Sequence, residues 1–597
     1  MPRNDHPGLK QDLRGWMIFF IVMSVVIGAG IFNNGGSSMR IAGPGGALLA
    51  FAIMSIIAIC VSECISELVQ LFAVPNAIVE YVRHFVDEDF GWAIGIAYWL
   101  TYSSIFAAQN MTAAQLSEYW GGPDPPQVYR TVIFYVVGPI IMLVINVCGV
   151  STFGWIESIG GGLKILLVLT TTFALYVMAG QEQNNYLQDS FQHNRGFVNN
   201  NVAAVCYVIP IMAFGFIGIE TVAVTAFEAA PNHLRRPSKY ITYFTAILYL
   251  ICMLSQCLNV QWINDHLPMV YGGVEAVKRA ADDPDNPYSR ALAVIAMFNW
   301  NQKVFAGILN GAIIFSVLSA SNTTLYVASR TLYGMALRVK DPTVLGKLIH
   351  ALSTVDSRTG VPLSALLLSW AMFFWIPFMS LKNDYRVQYV IEIIQTASSV
   401  SCLVVWTALV IAYLRLWYWQ TKYKTSLSVE VEQMNGSRVS PYDMFKRGSP
   451  NYKPHTVLMS LQPLPAMIAL VGCFVIFAFC SATWWYRPAT FPRVAIAYAA
   501  QFIVLIIFVV LKATRIWRLS RAKRREWWYG LWSQTSSDAF TEKLNSLRGF
   551  LEEAVEQSEE DRRLRRQNSL DDRGSANGDP AIILTEHRAV AHEGVAT

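Results

Sequence analysis

Charge is what this sequence has least of. Lysine, arginine, aspartate and glutamate supply 15% of its 597 residues, where a soluble chain carries about 25%. The missing charge is drained from long apolar runs and concentrated at the two ends and in a few short stretches, which excludes an ordinary soluble domain. Cysteine in a bridging or metal-binding setting is also absent. Cys60, Cys64, Cys148, Cys206, Cys252, Cys257, Cys402, Cys473 and Cys480 all lie in apolar segments, none in a CxxC or His-rich context. They are expected to be small core residues, with neither a disulfide framework nor a zinc site. A cleavable leader is not expected, because the start MPRNDHPGLKQDLRGW is polar and the apolar run after it reads as a first span. The net charge of +5 is modest and its bases sit beside apolar runs, so no nucleic-acid partner is expected. The G-x-x-x-D-R-x-G-R-R signature of the major facilitators is missing between spans two and three. His84 and Asp89 form an H-x4-D pattern like that of acyltransferases, but without a partner motif. No enzymatic function is expected.

What is present is hydrophobic length: 54% of the residues are apolar. Runs of about 18 residues or more cross a bilayer as helices, because only a helix satisfies its own backbone there. About twelve spans are expected, near 16–38, 46–73, 91–116, 131–149, 155–179, 201–227, 240–261, 304–335, 362–381, 388–415, 459–481 and 493–513. The predicted class is an all-α polytopic membrane protein with its outer faces in lipid. It divides into an N-terminal tail (1–15), a transmembrane domain (16–515) and a C-terminal tail (516–597). Bases favour the side of the termini: Arg83 and His84, Arg235, Arg236 and Lys239, Arg330, Arg338, Lys340, Lys347 and Arg358, Arg447, and Lys512 through Arg525. The opposite loops hold isolated Arg40, Arg130 and Arg195. The positive-inside rule therefore puts both termini in the cytoplasm, in a protein expected at the plasma membrane. The sequons at Asn110, Asn322 and Asn435 would then escape glycosylation. In the C-terminal tail, 540–566 has helical spacing and precedes RRLRRQNSLDD. It reads as a solvated helix and a disordered tail, or as a regulatory segment phosphorylated at Ser569 behind Arg565 and Arg566, with a kinase or trafficking factor as partner.

Two spans carry glycine clusters in comparable places. Span one reads VVIGAGIFNNGGSSMRIAGPGG, and span six reads YVIPIMAFGFIGIETVAVTAFEAA. Each glycine weakens a helix interior by about 1 kcal/mol relative to alanine, so Ile27-Gly28-Ala29-Gly30 and Phe214-Gly215 through Gly218 are candidate unwinding points. They lie five spans apart, as a five-helix inverted repeat with broken first helices requires. Freed N–H groups and helix N-termini hold a carboxylate, and freed carbonyls hold an ammonium. A site offering both suits a zwitterionic amino acid. The alternative is close helix packing. Intramembrane ionisable residues cost about 2.5–3.5 kcal/mol on insertion scales. Glu63, Glu67, Lys164, Glu220 and Glu392 are the candidates. Lys164 either carries a coupling proton or snorkels to the surface. Glu220 follows the second break and is assigned to gating or coupling. Ser319, Asn322 and Ser329 of span eight either bond neighbouring helices or line a path.

In sum these residues resemble the amino acid–polyamine–organocation superfamily, and fungal amino-acid permeases most closely, over about residues 14 to 515. The resemblance rests on Gly28-Ala29-Gly30-Ile31-Phe32, the A-G-P-x-G of Ala42 to Gly46, ISEL with Glu67, Tyr81 to Tyr98, Glu157 and Lys164 seven apart, Phe214-x-Phe216-x-Gly218-x-Glu220, and Ser319, Asn322, Tyr326, Ser329 and Arg330. It implies a LeuT-like core of two inverted five-helix repeats with broken helices one and six, plus two further helices. It also implies a substrate carboxylate at Gly28–Gly30, its amine on carbonyls of spans one and six, and Phe214 as an aromatic lid. Lys164 stands where proton-coupled relatives place an amine, so the proton is the implied coupling ion and no other cofactor is expected. Two departures stand out: Asn34 where relatives carry glycine, and Asn110 where fungal relatives often carry a span-three glutamate. A neutral Asn110 implies weak transport of lysine and arginine. The function implied is proton-coupled amino-acid uptake; a sensor with little transport and an exporter are the alternatives.

Overall fold

The computed structural model describes residues 12–120, 128–181, 186–187, 190–196, 198–229, 233–264, 266–268, 289–339, 343–356, 358–381, 386–428, 431–432, 438–440, 442–480, 491–518, 536–553 and 556. Ser569 and Asn435 lie outside them, as does the side chain of Glu392. Helix α1 (Gly15–Val26) stops at Ile27, and α2 (Ala29–Leu71) starts two residues later. The rest of span one and span two both lie within α2, in which two helices meet across a kink at Gly43 (φ +70°) and Pro44. Proline has no N–H to continue the ladder, and glycine alone takes the left-handed conformation cheaply.

After α3 (Ala77–Phe85) comes α4 (Glu88–Leu116), whose polar residues Thr101, Ser103, Gln109 and Asn110 are buried. Helices α5 (Val128–Thr131) and α6 (Gly138–Val147) flank a π-helical stretch, Val132–Val137, and complete span four. Then follow α7 (Val150–Gln181), α8 (Asn201–Ala213) and α9 (Thr221–Thr225), the last two being halves of span six, and α10 (Arg235–Cys257). Next are α11 (Leu292–Asn299), α12 (Lys303–Ala336), α13 (Val344–Ala351), α14 (Leu363–Met372) and α15 (Arg386–Lys422). The chain continues with α16 (Leu464–Phe479), α17 (Phe491–Arg518) and α18 (537–553).

Among the described residues eight helical stretches are long and apolar enough to cross a membrane, the first a 57-residue run that crosses twice. With the shorter apolar α14 and α16 and the inward-facing α4, the passes reach the expected twelve. Burial sorts them. Span six is 78% buried over its apolar window, whereas α17 is 11% buried and α7 28%. The broken spans occupy the centre, and α6, α7 and α17 turn bare apolar faces outward, such as Val144, Phe173 and Ile506, as lipid-facing helices must. All nine cysteines are free of disulfides.

Charge gathers on one face. Buried Glu80 binds Arg83 (3.1 Å) and Arg338 (2.7 Å). Arg515 meets Glu88 at 2.6 Å and Asp89 at 3.2 Å. The Arg515 guanidinium holds the Glu88 carboxyl well below its usual range, at about 2. Glu63 and Glu67, expected as intramembrane charges, hold the loop that precedes α16. Glu67 pairs with Arg447 (2.7 Å), and Glu63 accepts the Leu458 N–H (2.7 Å) and the Tyr243 hydroxyl (3.0 Å).

The C-terminal helix corrects the expectation of a solvated one. Phe540, Leu544 and Leu547 of α18 are fully buried. Phe540 packs on Trp419 with ring centroids 5.7 Å apart, and Phe550 lies 3.6 Å under the Arg338 guanidinium. The His84 of the H-x4-D pattern is part of this dock: its carbonyl accepts Lys543 (2.7 Å), and Nε2 faces the Ser546 hydroxyl (3.3 Å). The three apolar positions at i, i+4 and i+7 form one face of a helix, and that face has found a partner.

Candidate functional site

The first break is two residues long. Ile27 (φ −79°, ψ 88°) and Gly28 (φ −145°, ψ −143°) leave the helical region, and Gly28 provides no side chain to cap α2. A helix start without a cap leaves its first N–H groups unsatisfied, with the positive end of the helix dipole behind them. The carbonyls before the break are largely taken. Ser24 O accepts Lys164 (2.6 Å), Val26 O the Tyr249 hydroxyl (2.6 Å) and Ile27 O the Ser316 hydroxyl (3.0 Å).

The second break is longer. Helix α8 tightens to a 3₁₀ turn at Phe214–Phe216, Ile217 is extended and Gly218 takes φ +114°. A Cβ on Gly218 would lie 2.4 Å from Val25 Cγ1, and one on Gly30 would lie 2.5 Å from Gly215 Cα. Gly30 thus presses against the backbone of the second break and Gly218 against the side chains of Val25 and Val26, which is why glycine stands at these positions. Asn34 stitches the two spans further by donating to the Ile211 carbonyl at 2.9 Å. Glu220, fully buried, collects donors from two scaffold helices: Tyr102 (2.5 Å) and Tyr98 (3.5 Å) of α4, and Trp406 (3.0 Å) and Cys402 (3.6 Å) of α15. It also accepts the Gly218 N–H at 3.2 Å. The carboxylate is a clamp that fixes the unwound segment to its surroundings.

Between the breaks lies a small, partly open cavity. Val25, Val26, Gly28, Ala29 and Gly30 form one wall, Phe214 and Ile217 a second, and Ile105, Gln109 and Thr324 a third. None of these side chains ionises. The Oε1 of Gln109 is buried and accepts no hydrogen bond from the described residues, so it is a wall group that a donor would satisfy. Ile27, Gly215 and Gly218 stand behind the lining.

Next to the cavity is a buried polar network. Lys164 Nζ donates to the carbonyl and hydroxyl of Ser24 (2.6 and 2.9 Å). Glu157 accepts from the Ser24 hydroxyl, from Ser319 (3.0 Å) and from Asn322 (2.6 Å), and Asn146 donates to Asn322 Oδ1 at 2.8 Å. Lys164 is fully buried and does not snorkel. Ser319 and Asn322 belong to this network. Asn110 turns away from the cavity and donates to Ser321 (3.1 Å) and the Phe106 carbonyl (2.8 Å).

The span-three residue that reaches the cavity is its neighbour, Gln109, which the sequence reading missed. Helical phase carried the signal. Tyr98, Tyr102, Ile105 and Gln109 recur at i, i+4, i+7 and i+11 and share a face. The two tyrosines reach the Glu220 clamp, and the other two line the cavity. Glu228 was missed as well. Buried beyond α9, it pairs with Arg330 (3.0 Å) and accepts the Tyr326 hydroxyl, while its carbonyl accepts the Leu13 N–H at 3.0 Å. This knot ties the start of α1 and the end of span six to α12.

Two broken helices packed at the centre of a twelve-pass bundle define a LeuT-like integral membrane protein. A manganese transporter from Eremococcus coleocola shares that fold: TM-score 0.50 at 14% identity, covering 84% of this chain and 94% of the other. The chain belongs to the amino acid permease family, whose pattern it matches over residues 17–430. A lysine/arginine permease from Candida albicans is 28% identical, over 56% of this chain and 57% of its own length. The histidine permease of Lactococcus lactis is 25% identical, over 68% and 80% respectively. A valine/tyrosine/tryptophan permease of Saccharomyces cerevisiae is 25% identical, over 68% and 62%.

Proposed function

We propose that this protein is a secondary active transporter that takes up neutral amino acids together with protons, by alternating access, at the plasma membrane with both termini in the cytoplasm. The observation that carries this reading is the uncapped start of α2 opening on a cavity whose walls hold no charge. The substrate carboxylate lies against the N–H groups of Ala29 and Gly30, where the helix dipole stabilises an anion. The ammonium faces the carbonyls of the last turn of α1, such as that of Val25, and Phe214 covers the bound molecule. A lysine or arginine side chain would bury its charge against Ile105, Ile217 and Gln109 with no carboxylate among the lining residues, which costs several kcal/mol. Neutral side chains avoid that penalty, and one with a hydrogen-bond donor satisfies Gln109 Oε1. The relatives named for cationic substrates therefore do not set the preference here.

Lys164 carries the coupling proton. Its amine sits against the last turn of α1, so its charge state and the position of that helix are linked. The Glu228–Arg330–Tyr326 knot is the cytoplasmic gate and must part before the substrate leaves inward. Labelled amino-acid mixtures offered to cells stripped of their own permeases, at pH 5 and pH 7 with and without a protonophore, test the reading. The expected outcome is accumulation of neutral amino acids that collapses with the protonophore. Surface-located protein that accumulates nothing overturns it.

A further inference from the structure

Glu157 has no part in the scheme above, yet it is one of the best-held carboxylates in the molecule. It is 1% exposed and lies seven residues before Lys164 on α7, two turns away on the same face. Its donors, the hydroxyls of Ser24 and Ser319 and the amide of Asn322, are all neutral, so none of them balances its charge. Lys164 does, and the two are bridged by one atom. The Ser24 hydroxyl accepts from Lys164 Nζ at 2.9 Å and donates to Glu157 Oε2. The titratable side chains that the packed helices bring to this part of α7 are otherwise committed or neutral. Tyr249 of α10 donates to the Val26 carbonyl, Cys252 is a buried thiol, and Tyr326 and Arg330 of α12 are both taken by Glu228. Helices α1, α6 and α11 carry no Asp, Glu, Lys, Arg or His.

We infer that Glu157 is the fixed counter-charge of the coupling proton: it sets the pH range over which Lys164 takes up and gives back its proton, through the Ser24 hydroxyl. The charge balance gives the direction. With Lys164 protonated the pair is neutral. When the proton leaves, a lone anion remains in a dry interior, which is costly. Glu157 therefore keeps Lys164 charged to a higher pH than the bare cavity wall would. Ser24 belongs to the last turn of α1, so movement of that helix breaks the bridge and weakens the hold on the proton at the moment when release is required.

This inference rests on the proton-coupled reading, and the Glu157→Gln variant separates the two. Removing the counter-charge lowers the pH at which Lys164 stays protonated. Initial uptake by E157Q is expected to stay near the wild-type rate at pH 5 and to fall about tenfold at pH 7, one pH unit being a factor of ten. Glu157→Asp restores part of the wild-type profile, which a merely structural role would not predict. If E157Q fails to reach the surface, Ser24→Ala, which loses only the bridging hydroxyl, is expected to move the profile in the same direction by a smaller amount. A profile left in place by the surface-expressed variant, on a wild type that responds to pH, overturns the role of Glu157. Wild-type uptake indifferent to pH and protonophore overturns the proton-coupled reading itself.

Discussion

The two breaks look alike in sequence and are held in opposite ways. The break in span six is longer and is bound down by Glu220, whose oxygens take five donors, four of them from α4 and α15. The break in span one spans two residues and its helix start has no side-chain cap. Neither following helix has a side-chain cap, so the difference lies in the carboxylate that holds the second break. Their glycines differ too. Gly30 and Gly218 are required by packing, since a Cβ at either would meet atoms at 2.5 Å or closer. Gly28 has more room: its nearest neighbours would be Ala320 Cβ at 3.0 Å and Gln109 Nε2 at 3.3 Å. A glycine cluster therefore holds two kinds of glycine, one for building the site and one for leaving it open.

Glu220→Ala is the change expected to break this contrast most severely. Each buried donor left unpaired costs about 1–3 kcal/mol, so the variant should fail to reach the cell surface. Normal surface levels, read by biotinylation, would show that the clamp is dispensable. Next come the two glycines. Gly30→Ala forces backbone against backbone and should cost about 1–3 kcal/mol, as overpacking does, lowering the melting temperature of the purified protein. Gly28→Ala should lower that temperature less than Gly30→Ala does and raise the KM for uptake by about tenfold, because the new methyl occupies substrate space. Equal effects at the two positions would erase the distinction. The smallest expected change is Gln109→Glu, which sharpens the substrate side of the comparison. It gives the cavity wall a carboxylate, and lysine or arginine should then compete with neutral substrates several-fold better. The same substitution at Asn110 should not have this effect, because Asn110 faces Ser321.

Much of this was legible in the chain. The apolar runs marked twelve passes, and the paired clusters at Gly28 and Gly218 marked both breaks. Lys164 could be placed mid-span by counting turns. Other features were out of reach because they depend on which way a side chain points. Asn110 and Gln109 are adjacent, and about 100° of helix rotation puts one against α12 and the other in the cavity. Glu63 and Glu67 fall inside an apolar run, yet both reach loop residues some 380 to 395 positions later. The burial of α18 against α3 and α15 likewise needed the surface it covers.

Composition and periodicity determined that the chain crosses a membrane as helices, because an apolar run must satisfy its own backbone in lipid. They also determined where those helices fail, because glycine and proline weaken the ladder locally. The tertiary structure decided what each failure is for. A carboxylate two residues from one break is a clamp because five donors converge on it. The uncapped start of α2 is a candidate site because distant segments form a cavity in front of it. Such distinctions arise only when distant segments are brought within hydrogen-bonding distance, and no local pattern in the chain records them.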